Sequence, residues 1–166
     1  MSTPRANPTA IVTYSHSDPG WTAEHGQARE QYVLRLVTVL RSLGIDADAD
    51  IFHQNEDWTR WGPGQVQQSD FVLIVVSRAW KLGWEGTGDP QKHRGTRVEA
   101  DAVRSIQNEG HDQLQDRCRV ILLPDSDEVD IPTGMHGLMR HHVHRVDTTC
   151  VHATVGVRHP ALSRDD

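Results

Sequence analysis

Apolar residues in this chain fall into runs of two periods, and the periods separate strands from helices. Phe71 to Ser77 (FVLIVVS) is apolar almost throughout, with no polar alternation. Such a run predicts a strand buried on both faces, the kind found in parallel sheets covered by helices. Ala10 to Tyr14 (AIVTY) and Arg119 to Leu123 (RVILL), the latter ended by Pro124, read as two further strands. Ile45 to Ile51 alternates strictly. Ile45, Ala47, Ala49 and Ile51 lie on one side and Asp46, Asp48 and Asp50 on the other, which predicts an edge strand with an acidic face toward water. A last strand is predicted at about His142 to Val146.

Helical spacing fills the gaps. Val33, Leu36, Val37, Leu40 and Leu43 share one face of a helix from about Glu24 to Leu43, and Gly44 is suited to end it. Val98, Ala102, Val103 and Ile106 mark a second helix over about Thr96 to Asn108. Short helices are expected near Gln65 to Ser69 and near Met135 to Met139. Residues 78–94, with Trp80, Trp84 and several glycines, read as a loop.

Alternating β and α elements predict an α/β fold with a doubly wound parallel sheet. An alternating edge strand placed second in sequence favours the flavodoxin-like order 2-1-3-4-5. Its switch point lies between the first and third strands. There the loop Ser15 to Asp18 and the loop after Ser77 face each other, with Glu99 close by.

Composition narrows the function. The 166 residues fit one domain, expected over residues 9–147, with a loose leader at 1–8 and a tail or final element at 148–166. A formal net charge of −6 argues against nucleic acid as the default partner. No stretch approaches the roughly 20 apolar residues of a membrane span, and the first ten residues lack the apolar core of a secretory signal. Two cysteines, Cys118 and Cys150, make neither a disulfide framework nor a zinc pattern. A cytoplasmic location is the simplest expectation. His136, His141, His142 and His144 cluster in sequence without cysteine partners, and read as a surface group rather than a zinc site. Asp46, Asp48 and Asp50 lie about 7 Å apart along a strand, too far to share one cation unaided. They read as an exposed edge that resists unwanted pairing.

AIVTYSHSD resembles the opening signature of TIR-like domains. LRSLGIDADAD, a Trp-containing polar segment, SDFVLIVVS and RGTRVEADAV follow in an order similar to that of SEFIR domains, close relatives of TIR domains. RVILLP and the downstream Ile131-Pro132 fit the fourth strand and its following loop. The resemblance covers about residues 9–146 and points to a bacterial-type stand-alone SEFIR domain of the TIR-like superfamily. It implies a flavodoxin-like fold and intracellular signalling, in immune or defence settings, by association with itself or with other SEFIR/TIR-like domains. Some TIR domains also cleave NAD at the nicotinamide bond with one glutamate on the helix after the third strand. Glu99 stands at the corresponding place, although Ser77, a longer insertion and Gly95 replace the TIR enzyme motif ahead of it.

Two roles for Glu99 follow. As the catalytic carboxylate of an NAD glycohydrolase, it would hold ribose hydroxyls and stabilise the cation left when nicotinamide departs. Tyr14, Ser15, Trp61 and Ser77 would then bind the nucleotide, with NAD as substrate and no resident cofactor or metal. As a helix start, Thr96-x-x-Glu99 fits a capping box. The loop Tyr14 to Asp18 carries donors for a ribose or phosphate, yet it has no glycine-rich cradle and equally fits an ordinary turn. Trp58, Trp61, Trp80 and Trp84 flank the central strand and could stack on a base or anchor a partner, or simply bury loops. The surfaces expected to meet a partner are Asp48 to Trp61 and Arg78 to Arg94.

Overall fold

The computed structural model describes residues 7–89, 91 and 94–143. Among them a parallel sheet holds five strands in the order β2-β1-β3-β4-β5. They are β1 (Thr9–Thr13), β2 (Asp46–Ala49), β3 (Phe71–Val75), β4 (Cys118–Leu122) and β5 (Arg140–His142). Ile11 pairs with Asp48 on one side and Val72 on the other; Val12 sits between Ala49 and Leu73. The unbroken apolar run of β3 is explained by two cores. Val72, Ile74 and Val76 pack with α2 (Trp58–Gln68), α3 (Arg78–Glu85), α4 (Arg94–Glu109) and α5 (His111–Arg117). Leu73 and Val75 pack on the opposite face, against Val33, Leu36, Val37 and Leu40 of α1 (Ala23–Ser42). A strand covered on both faces has no position for a polar side chain. Each fully buried Val, Leu or Ile contributes about 1.5–3 kcal/mol.

The long helices and the strand order agree with expectation, and several local features differ. Residues 78–85 are a helix, not a loop. Ser77 caps it by accepting from the Trp80 backbone N–H at 3.2 Å, and Gly86 ends it at φ 71°. Its buried face is Ala79, Trp80, Gly83 and Trp84. A Cβ on Gly83 would lie 3.3 Å from Thr96 Cγ2, so glycine there lets α3 press against α4. The helix near Gln65 begins earlier, at Trp58, and runs through Pro63. The segment Met135 to Met139 forms turns that bury Met135 and Leu138, with Gly134 before it and Gly137 within it. The last strand is Arg140–His142 rather than 142–146; residues 144–146, like 1–6 and the expected tail at 148–166, lie outside the described residues. The acidic edge holds for Asp46, which is exposed. Asp50 instead turns inward in a 3-10 turn, Asp50–Phe52, and is only 3% exposed.

Candidate functional site

The expected site lies at the carboxyl ends of β1 and β3. Alternation along β1 sends Ala10, Val12 and Tyr14 toward α1 and Ile11 toward α4. Thr13 shares the side of Ile11, and its hydroxyl donates a hydrogen bond to Glu99 Oε2. The Trp80 indole N–H donates in turn to Thr13 Oγ1 at 3.0 Å. Trp80, Thr13 and Glu99 thus form one chain of hydrogen bonds joining α3, β1 and α4. All three are buried, with Glu99 only 6% exposed.

The helix start decides the role of Thr96. Because α4 begins at Arg94, Thr96 lies inside the helix and Glu99 is its sixth residue, so the pair is not a capping box. Thr96 instead donates through Oγ1 to Ser15 Oγ at 3.4 Å, and Ser15 donates to the Ser17 carbonyl at 2.9 Å. Burial outweighs the Thr13 hydrogen bond and, with the charge of Asp50, pushes the Glu99 carboxyl up to about 8. At neutral pH Glu99 is therefore mostly an uncharged acid.

Beside this chain, His16 Nε2 pairs closely with Asp50 Oδ2. Burial works against a charge on His16, but the hydrogen bond and charge of Asp50 outweigh it and raise its pKa. The Tyr14 ring sits 4.5 Å from the His16 ring, and its hydroxyl is buried without a hydrogen-bond partner among the described residues. Burial first, then the Asp50 charge, raise the pKa of that hydroxyl. Asp50 carried no such signal in its strand pattern. What could have marked it is its place at the end of the edge strand, next to the switch-point loop.

A third group braces the same rim. Arg29, on α1 and 4% exposed, donates to Asp125 Oδ1 at 2.7 Å and to the Val76 carbonyl at 2.9 Å. Its guanidinium lies 4.7 Å from the Trp21 ring centroid, and His25 also pairs with Asp125. Partial burial opposes the Asp125 charge, but hydrogen bonds from Arg29 and His25 prevail and lower its pKa.

Of the expected nucleotide-binding residues, Ser15 reaches Glu99's helix through Thr96, and Tyr14 lies on the α1 side of β1. Ser77 is occupied as the cap of α3. Trp61 sits half-buried on α2, its ring centroid 4.2 Å from that of His53. Trp80 and Trp84 belong to the core, their rings stacked 6.1 Å apart, and Trp84 donates to the Thr133 carbonyl. The side chain of Trp58 and all of His144 lie outside the described residues. His142 approaches Glu128 at 3.4 Å, and no cluster of three metal-ligating side chains occurs among the described residues.

A five-strand parallel sheet in this order, with helices on both faces and a buried acid at its switch point, defines a flavodoxin-like α/β domain of the TIR-like class. The SEFIR domain family matches residues 12–148, and this chain belongs to that family. The fold is also similar to the crystal structure of a prokaryotic SEFIR domain, at 15% identity and a TM-score of 0.56, over 88% of this chain and 94% of that one. Among curated proteins, none matches this chain. No helix among the described residues is long and apolar enough to cross a membrane.

Proposed function

We propose that this chain is a cytoplasmic signalling module that works by homotypic association with SEFIR/TIR-like domains, in immune or defence signalling. The observation that carries this reading is the closure of the site around Glu99. The carboxyl is buried, engaged by Thr13, which Trp80 bonds in turn, and mostly neutral near pH 7. A neutral, enclosed acid is a poor stabiliser of a ribosyl cation. The outer surface is left to do the work. Phe52 is 41% exposed with Arg41 stacked on it at 4.5 Å, and Arg60 stands almost fully in solvent. Weak contacts of this kind, repeated along an assembly, give a sharp response.

The second reading, an NAD glycohydrolase using Glu99 with Tyr14, Ser15, Trp61 and Ser77, is favoured by one feature. Glu99 is not consumed by helix capping and sits at the carboxyl end of the sheet. One pair of measurements separates the two. Concentrated protein is incubated with NAD, nicotinamide release is followed for wild type and Glu99→Ala, and light scattering is read on the same samples. Association without release supports the signalling module. Release that disappears in Glu99→Ala overturns it in favour of the enzyme.

A further inference from the structure

The loop after β1 and the turn after β2 meet beside the switch point through an ion pair. His16, half-exposed, pairs through Nε2 with Oδ2 of Asp50, which is 3% exposed. The other oxygen of Asp50 is buried without a hydrogen-bond partner among the described residues. Asp50 also opens the 3-10 turn Asp50–Phe52, which has no side-chain cap. That turn carries Phe52, the exposed aromatic of the proposed association surface. His16 therefore tethers the turn from its buried side. On the outer side Arg41 covers Phe52, and Asp48 pairs with Arg41 and His53.

The charged groups that bear on His16 are acids. Asp50 reaches it from the turn, Glu99 from α4 and Glu30 from α1, while Tyr14 of β1 lays its ring 4.5 Å away. Asp18 lines the same cleft as His16. Burial opposes the His16 charge, but the hydrogen bond and charge of Asp50 prevail and raise its pKa. Burial pushes the Glu99 carboxyl up to about 8.

Both protons leave as the solution turns alkaline. While both are held, His16 offsets the Asp50 carboxylate and Glu99 is uncharged. Once both are lost, two buried carboxylates share the switch point and the charge of His16 is gone. A buried charge without a charged partner is costly, and like charges repel. Glu99 is fixed in α4, a helix of 16 residues, whereas the turn has three. The turn is the part that can yield and let Asp50 reach water.

We infer that the His16–Asp50–Glu99 cluster is a proton switch for the association surface. The turn Asp50–Phe52 is held for contact while His16 is charged and Glu99 neutral, and is released when both have lost their protons. Half-exposure of His16 lets its proton exchange with solvent without unfolding. The output of the switch rests on the signalling reading, but the movement of the turn needs no association.

Amide NMR on the dilute full chain and light scattering over a concentration series test this, both between about pH 6 and about pH 9, which bracket the two titrations. Resonances of residues 50–53 should shift along with the His16 titration. The association constant should fall about tenfold across that range, the effect of one proton held one pK unit more tightly in the competent state. Asp50→Asn removes the charge and keeps the shape, and should flatten both responses. His16→Gln should show the alkaline position of the turn already in acid. A wild type that is monomeric at every pH counts against the signalling reading alone; the turn resonances, following His16 or not, then uphold or overturn the switch. Association of equal strength at both ends of the range would overturn the switch and leave the signalling reading standing. A pH response that survives in both Asp50→Asn and His16→Gln would also overturn it.

Discussion

At the residue scale, Glu99 ties stability to pH. Its carboxyl sits near 8 in the folded chain and near 4.3 in an unfolded one. Between those values the folded state holds the extra proton, so stability is full below about pH 4 and falls as pH rises through 8. By pH 8 the loss is on the order of 3–5 kcal/mol. Glu99→Gln keeps an acceptor for Thr13 and removes the titration. Chemical denaturation should find the variant more stable than wild type at pH 8 and about equal at pH 4. A variant less stable at pH 8 would refute a neutral structural acid. His16 titrates the other way around its partner. NMR should place its pKa above the usual histidine value near 6.5, and Asp50→Asn should bring it down. Because this pair forms in the folded chain, its contribution is present in acid and fades as pH climbs past the raised value.

At the element scale, the strands and the two long helices were legible because their side chains obey one period throughout. β3 feeds both cores, and α1 buries one clean stripe. The helix α3 was obscured by Gly83 within it and Gly86 and Gly88 just after it, although Trp80, Gly83 and Trp84 keep the three-and-four spacing of a buried face and Ser77 stands at its cap. The short α5 buries Leu114 as its one inward apolar side chain, which leaves no period to read. Glu99 lies on the expected helix, but that helix starts at Arg94, three residues before the Arg97 start that a Thr96-x-x-Glu99 capping box implies. That shift converts a cap into a tertiary contact. Its partners Thr13 and Trp80 are 86 and 67 residues of sequence apart from Glu99 and Thr13 respectively, beyond any local pattern. The cap on α3 carries its own expectation. Ser77→Ala should cost about 1 kcal/mol in a urea melt, with the slope unchanged. No loss would mean that burial of Trp80 and Trp84 fixes the helix start by itself.

At the scale of the whole molecule, the sheet, the braced rim and the enclosed acid occupy the described interior and leave the surface for contacts. On the proposed signalling reading, association would use the exposed side chains around Asp48 to Trp61, where Phe52 and Arg60 project, rather than the buried switch point. The two tryptophans of α3 are spent on the core, so any contact through residues 78–94 uses the helix's outer face, where Arg78 and Glu85 are exposed. The most direct test is the weight-average mass of wild type and of a Phe52→Asp/Arg60→Asp double variant, measured by light scattering over one concentration series. Wild type should rise above the monomer reversibly, with a dissociation constant in the roughly micromolar-to-millimolar range, and the variant should need at least ten times the concentration. A wild type that stays monomeric throughout, or a variant that associates equally well, would contradict the account.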